Sequence, residues 1–225
     1  MLRTRTLLSS LLPLLVLLGS CESTHQRDLA RNPDLYRHTG YRASYRQNRR
    51  VYVSRLLDRR TPLSSHRDGI YPLTYTEDAF WARPVAEMLD ELLRQEIDAA
   101  GLFAQIVDSE GEADWVLRPA LTNFHGAVEE RVVGRAVHGR AKIRLQVWGP
   151  AGAGGKRGLL RSEDYEGPIE TEGRLFVPDP HALAAASFRK AVGWMLVDLD
   201  RGGRLCDGLA LDPEGIMDSK RVDWR

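Results

Sequence analysis

The stretch that decides the fold is VHGRAKIRLQV, residues 137–147, in which small or apolar residues alternate with polar ones. Successive side chains of a strand point to opposite faces, so this period of two predicts a strand with one buried and one solvated face. Such a strand is typical of an antiparallel sheet that packs a core on one side. The buried set is Val137, Gly139, Ala141, Ile143, Leu145 and Val147.

A glycine-rich run, residues 149–158, follows this strand and predicts a loop. Residues 159–169 then return as an acidic strand, and the hairpin places their acids opposite the basic residues of the first strand. These acids are Glu163, Asp164 and Glu166, and the bases are Arg140, Lys142 and Arg144. Two earlier stretches, residues 103–107 and 113–124, also have a period of two and predict further strands.

Two amphipathic helices flank the strands. The first has apolar residues spaced by three and four from Trp81 to Ile97, starts near Arg83 and ends at Gly101. The second opens at Asp179-Pro180, an acceptor followed by proline, and ends before Gly202-Gly203. We therefore expect an α+β domain over residues 51–202. It has one mainly antiparallel sheet with both helices on one face, in the order strand, helix, strands, helix. Residues 203–225 show no period and predict an irregular tail.

The N-terminus has the pattern of a secretory signal over residues 1–20: Arg3 and Arg5, then an apolar run, then Gly19-Ser20. The run is shorter than the roughly 20 residues of a membrane-spanning helix and contains Pro13, so a retained transmembrane helix is disfavoured. The residues Leu18-Gly19-Ser20-Cys21 resemble the lipobox of bacterial lipoproteins. The alternative is an ordinary cleaved signal with an incidental cysteine.

The lipobox resemblance implies that Cys21 is the lipidated first residue of the mature chain, anchored through several acyl chains such as palmitate. It also implies a periplasm-facing location in the cell envelope. In Gram-negative lipoproteins an aspartate after the cysteine favours the inner membrane, and Glu22 here favours the outer membrane. A lipidated Cys21 leaves Cys206 without an intramolecular disulfide partner.

Residues 21–50 form a polar stretch with no apolar period, which predicts a lipidated N-terminus and a disordered tether. Tyrosine-arginine pairs recur within it, and two interpretations stay open. The stretch is either a plain soluble tether or a strip that contacts an anionic surface, since guanidinium groups bind phosphate. The candidate contacts are Arg37, Arg42, Arg46, Arg49 and Arg50.

Charge and motifs bound the function classes. Removal of residues 1–20 takes away Arg3 and Arg5, so the 32 basic and 31 acidic residues become 30 and 31, which gives no bulk charge for nucleic acid. The glycine-rich loop lacks the spacing and the hydroxyl of a phosphate-binding P-loop. No catalytic motif, metal-ligand pattern or cofactor signature is legible among the six histidines or elsewhere.

The predicted domain resembles the auxiliary lipoproteins of bacterial ABC-type transport systems, the PqiC/YmbA-like group. The resemblance rests on Trp81-Ala82-Arg83-Pro84, Gly101-Leu102-Phe103 and Ala113-Asp114-Trp115-Val116-Leu117. The opening, residues 51–60, equally resembles CsgG-, LpoB- and YajG-like envelope lipoproteins. Either resemblance implies a non-enzymatic binding or accessory module for transport or envelope assembly, with an envelope protein as partner. An envelope hydrolase, or a carrier of a lipid or cell-wall ligand, remains the alternative.

Overall fold

The computed structural model describes residues 27–61, 80–130, 132, 134–152, 155–173 and 179–206. Cys21 and the signal segment lie outside these residues. Within them the chain forms one seven-stranded sheet and two α-helices. The strands are β1 Gln47–Val53, β2 Leu57–Asp58, β3 Phe103–Ile106, β4 Trp115–Glu130, β5 Arg135–Ala151, β6 Arg157–Glu166 and β7 Ile169–Gly173. The helices are α1 Val85–Ala100 and α2 Pro180–Cys206.

The sheet is mostly antiparallel, as predicted, but it is a mixed sheet because its first edge contains parallel pairs. Its order is β3-β1-β4-β5-β6, with β2 also on β4 and β7 also on β5. β1 runs parallel to both β3 and β4, and β2 runs parallel to β4, whereas the pairs of β5 are antiparallel. Parallel neighbours need a crossover connection, and α1 provides it between β1 and β3. The observed order therefore has two strands before α1 and five between the helices.

The hairpin of β4 and β5 is the centre of the sheet. Its pairing runs from Val116 opposite Trp148 to Glu130 opposite Arg135, with a bulge between Leu121 and Asn123. The alternation predicted for β5 is confirmed, because Ala141, Ile143, Leu145 and Val147 are buried while the residues between them are more exposed. The predicted acidic return strand is β6, in which Asp164 lies opposite Arg144.

Both helices pack against one face of this sheet and form one core with it. Helix α1 buries Met88, Leu89 and Leu92 and ends at Gly101, whose φ of 66° is the left-handed conformation that suits glycine. The predicted acceptor before α2 is confirmed: the Asp179 carboxylate accepts a 2.9 Å hydrogen bond from the His181 N–H. We call the opposite side of the sheet the open face, since neither described helix covers it.

Helix α2 crosses the sheet over glycines. A Cβ added at Gly126 would lie 2.3 Å from the Pro180 carbonyl oxygen, and one added at Gly139 would lie 2.1 Å from the Leu183 carbonyl carbon. Helix and strand backbones approach each other closely at both positions, which explains glycines in a strand pattern that otherwise favours larger residues. Helix α2 also contacts β5 where its partner changes from β6 to β7: the Ser187 hydroxyl accepts a 2.6 Å hydrogen bond from the Ala141 N–H.

Helix α2 continues through Gly202-Gly203 to Cys206, so the prediction of an irregular tail is wrong for residues 203–206. A Cβ at Gly203 would lie 2.0 Å from the Gln47 side chain, which is buried. The glycine therefore serves close packing against β1 and does not end the helix. Residues 207–225 lie outside the described part of the chain.

The N-terminal segment, residues 27–46, packs on the domain, so the prediction of a disordered tether is wrong from residue 27 onward. Leu29, Tyr36 and Tyr41 are at most 3% exposed and belong to the core. These three large side chains are spaced irregularly along a segment of turns and irregular backbone, which produces no helix or strand period. That is why the sequence pattern alone gave no sign of this packing.

Polar contacts fix the N-terminal segment to α1 at Glu96, which is 2% exposed. Its carboxylate accepts hydrogen bonds from the Tyr36 hydroxyl at 3.1 Å, from the Thr39 N–H at 2.9 Å and from the Thr39 hydroxyl at 2.6 Å. A buried carboxylate is stable only when it is hydrogen-bonded, and these donors supply that. Burial and the adjacent Glu96 raise the pKa of the Tyr36 hydroxyl well above its ordinary value.

Candidate binding cleft on the open face

Strand register arranges the side chains of the open face in rows. Arg118 of β4 lies opposite Gln146 of β5, and Gln146 lies opposite Ser162 of β6. In the next row Ala120 lies opposite Arg144, and Arg144 lies opposite Asp164. Diagonal neighbours in such a sheet are about 7–8 Å apart, which brings Arg118 and Arg144 within reach of one small ligand.

The first edge of these rows contains a gap between β1 and β2. The Ser54 N–H donates to the Leu117 carbonyl at 2.9 Å, and the Arg59 N–H donates to the Leu121 carbonyl at 2.8 Å. Pro119 lies midway between Leu117 and Leu121 in β4. Because backbone groups two residues apart on a strand point to the same side, the Pro119 nitrogen faces the side of these two carbonyls. Proline has no N–H, so it suits the part of β4 that neither β1 nor β2 pairs.

A cleft of about 350 Å³ opens at this gap. We call it the arginine cleft, because its charged lining residues are Arg55, Arg59, Arg118 and Arg144. The remaining lining residues are the polar Ser54 and Gln146 and the apolar Leu57, Pro119 and Ala120. The volume lies at the lower end of small-molecule sites, which are about 300–1,000 Å³.

Three of these arginines form ion pairs with acids that do not line the cleft. Arg55 lies 3.2 Å from Glu87, Arg118 lies 3.0 Å from Glu110, and Arg144 lies 2.7 Å from Asp164. In each pair both side chains are more than 30% exposed. Exposed ion pairs contribute little to stability and exchange partners readily. The Arg59 side chain has no charged partner among the residues that the structure describes.

Asp164 marks the boundary of the arginine cleft toward β6. Hydrogen bonds from Arg144 and Lys142 lower the pKa of its carboxyl to about 2. Asp164 is therefore ionised at neutral pH and offsets part of the charge of Arg144.

The aromatic neighbour of the arginine cleft is Trp148 on β5. The Arg118 guanidinium carbon lies 5.0 Å from the Trp148 ring centroid. A cation over an indole face is held by the ring quadrupole. This contact limits the side-chain freedom of Arg118 beside the cleft.

The five arginines predicted to contact an anionic surface do not form one strip. Arg46 donates to the carbonyls of Phe103 and Ala104 at 3.0 and 2.7 Å, and Arg50 pairs with Asp114 at 3.3 Å. Arg49 stacks over the Trp115 ring at 4.5 Å. Arg37 and Arg42 are exposed. Three of the five therefore hold the N-terminal part of the chain on the sheet.

Sequence reasoning identified Arg144 and its acidic partner but missed the cleft. Arg118 and Gln146 follow the alternation of their strands and were available as signals. Arg55 and Arg59 join them only because β1 and β2 pair parallel with β4, a non-local arrangement that no local pattern reports. Across the described ranges, no group of three or more His, Cys, Asp or Glu side chains is placed to hold a metal ion.

No protein-family model and no curated protein matches the sequence. Similar solved structures include a Xanthomonas campestris protein of family DUF330, with a TM-score of 0.45 and 15% identity, covering 77% of this chain and 93% of that one. A neuraminyllactose-binding hemagglutinin homolog from Helicobacter pylori gives a TM-score of 0.38 and 12% identity, with coverages of 75% and 94%. A lipoprotein from Neisseria meningitidis gives 0.21 and 15%, with coverages of 55% and 83%. At TM-scores below 0.5 these similarities carry no argument about function.

The two described helices are amphipathic and contain many charged residues. Neither of them, nor any other helix among the described residues, is long and apolar enough to cross a bilayer.

Proposed function

We propose that this protein is an envelope lipoprotein, anchored through Cys21, whose α+β domain is a non-enzymatic binding or accessory module for a transport or envelope-assembly system. The observation that carries the proposal is the division of the sheet into two faces. One face is sealed by α1 and α2, and the other presents the arginine cleft. A cleft lined by exposed guanidinium groups together with apolar side chains is the kind of concave surface that binds ligands.

The anchor argument comes from the sequence and concerns residues that the structure does not describe. A lipidated Cys21 would keep the domain within reach of the membrane surface. The structure shortens the reach, because residues 27–46 lie on the domain. Only residues 22–26 separate the anchor from the packed N-terminal segment, so the domain is held close to the bilayer. Glu22 favours the outer membrane.

Metabolic labelling and fractionation test the proposal. The wild-type chain, Cys21→Ser and Cys206→Ser are expressed with labelled palmitate, and envelope membranes are separated on a density gradient. We expect label and outer-membrane location for the wild type and for Cys206→Ser, and loss of both for Cys21→Ser. Because the two variants make the same atomic change, unchanged labelling of Cys21→Ser would overturn the anchor.

A further inference from the structure

We propose that the arginine cleft binds the phosphate group of an anionic ligand, with a membrane phospholipid headgroup as the source that its apolar lining favours. The inference deepens the proposed function, since it names the ligand class of the open face.

The donor set of the cleft suits phosphate. A guanidinium group presents a planar fork of N–H donors that matches two phosphate oxygens, and Arg55, Arg59, Arg118 and Arg144 line one small space. The acids paired with three of them, Glu87, Glu110 and Asp164, are not among the lining residues. A phosphate entering the cleft therefore meets donors without a competing carboxylate among the lining residues, and Ser54 and Gln146 add neutral polar groups.

The apolar part of the lining distinguishes a lipid from a bare ion. Leu57 is 51% exposed although it is a large apolar residue, and it lies in register with Ala120 beside Pro119. A free phosphate ion would leave this surface in water. The glycerol and first methylenes of a lipid bound through its phosphate would cover it, which is favourable in proportion to the apolar area removed from water.

The arrangement also fits a domain held near a bilayer. Arg55 lies between β1 and β2, and Arg59 directly follows β2, the strand that pairs with β4 beside the cleft. Both line the side of the cleft formed by this edge of the sheet, whereas Asp164 belongs to β6 beyond β5. A headgroup that enters from this edge would meet both guanidinium groups.

Calorimetric titration of the lipidated full-length protein in a neutral detergent tests the proposal. The probes are dihexanoyl phosphatidylglycerol, inorganic phosphate and dihexanoylglycerol, which supply phosphate and acyl chains together, phosphate alone and acyl chains alone. We expect the phosphatidylglycerol to bind at least about tenfold more tightly than dihexanoylglycerol, a difference that one guanidinium–phosphate contact can supply. Inorganic phosphate binding as tightly as the lipid would assign the cleft to the free ion.

Matched double variants locate the site. Arg59→Gln with Arg118→Gln should weaken binding of the phosphate-bearing probes at least about tenfold, because the double variant removes two guanidinium–phosphate contacts. Arg140→Gln with Arg201→Gln removes the same charge from exposed positions outside the cleft and should leave binding unchanged. Equal loss in both doubles, equal binding of dihexanoylglycerol, or no binding of either phosphate probe would overturn the proposal. These results are independent of Cys21 labelling, so failure of the ligand and failure of the anchor are told apart.

Discussion

The Tyr41 hydroxyl donates a 2.6 Å hydrogen bond to the Asp200 carboxylate, which joins two residues separated by 159 positions. Tyr41 is 1% exposed and Asp200 is fully buried. Nearby, the Gln47 side-chain amide donates a 3.0 Å hydrogen bond to the Leu199 carbonyl. The N-terminal segment and the last turns of α2 are therefore parts of one core, and residues 27–46 are built into the domain.

Tyr41→Phe tests this junction. The change removes one donor from a buried carboxylate and should lower the free energy of unfolding by about 1–3 kcal/mol, as for hydrogen bonds to charged groups. Tyr52→Phe deletes the same atom from a half-buried tyrosine on the open face and should change it by less than about 0.5 kcal/mol. Urea denaturation measures both, and equal effects would show that the hydroxyl of Tyr41 is dispensable.

Leu29→Ala tests whether the N-terminal segment supports the fold. Leu29 is 1% exposed in the core, so truncation should cost about 2–5 kcal/mol through lost transfer energy and a cavity. Leu160→Ala makes the same change at a side chain that is 55% exposed, and there we expect less than about 1 kcal/mol. If Leu29→Ala lowers the melting temperature no more than Leu160→Ala does, residues 27–46 act as a tether and do not stabilise the domain.

Gly139→Ala tests the crossing of α2. The new methyl group would collide with the Leu183 backbone, and the helix would have to shift, which costs typically about 1–3 kcal/mol. Gly158 has no atom within 4 Å of an added Cβ. Gly158→Ala should therefore be neutral or slightly stabilising. Thermal melting distinguishes the two, and a harmless Gly139→Ala would mean that α2 does not lie this close to β5.

The free energy of unfolding at acidic pH tests the contact between Asp28 and Arg83, whose closest atoms are 2.7 Å apart. Burial raises the pKa of the Asp28 carboxyl, but hydrogen bonds from Arg83 and the Ala30 N–H outweigh it and hold that pKa below its ordinary 3.8. The unfolded chain then binds the proton more readily. The stabilisation is complete above pH 3.8 and is lost as the pH falls through the lower folded value.

Urea denaturation of the wild type and Asp28→Asn between pH 7 and pH 2 measures this contribution. The variant should be less stable at pH 7, and the difference should shrink as the pH falls below the ordinary value of 3.8. A difference that stays constant across this range would show that the Asp28 charge contributes nothing.

The elements that could be predicted from sequence are those with a local period. The β5 alternation around Leu145, the hairpin that sets Arg144 opposite Asp164, the apolar stripe of α1 and the Asp179 acceptor all follow from neighbours within a few positions. In each case, short-range spacing determines which side chains share a face.

The parts that could not be predicted depend on non-local contacts. Parallel pairing of β1 requires the crossover of α1, and the packing of Tyr41 requires Asp200 at the far end of the chain. The local sequence at Gly203 predicts the end of a helix, but the glycine is needed for close packing against Gln47, which is distant in the chain. The arginine cleft combines these effects, because Arg59 and Arg118 come together only through the pairing of β2 with β4.

Site-specific photo-crosslinking in intact cells tests most directly the claim that the open face is the binding surface of an anchored module. A photoreactive residue is placed at Gln146 in the arginine cleft or at Ala182 on the exposed side of α2, in the wild-type and Cys21→Ser chains. We expect adducts with a phospholipid or an envelope protein from position 146 of the anchored chain, strong reduction in Cys21→Ser, and no comparable adducts from position 182. Adducts from position 182 with none from position 146 would contradict the account.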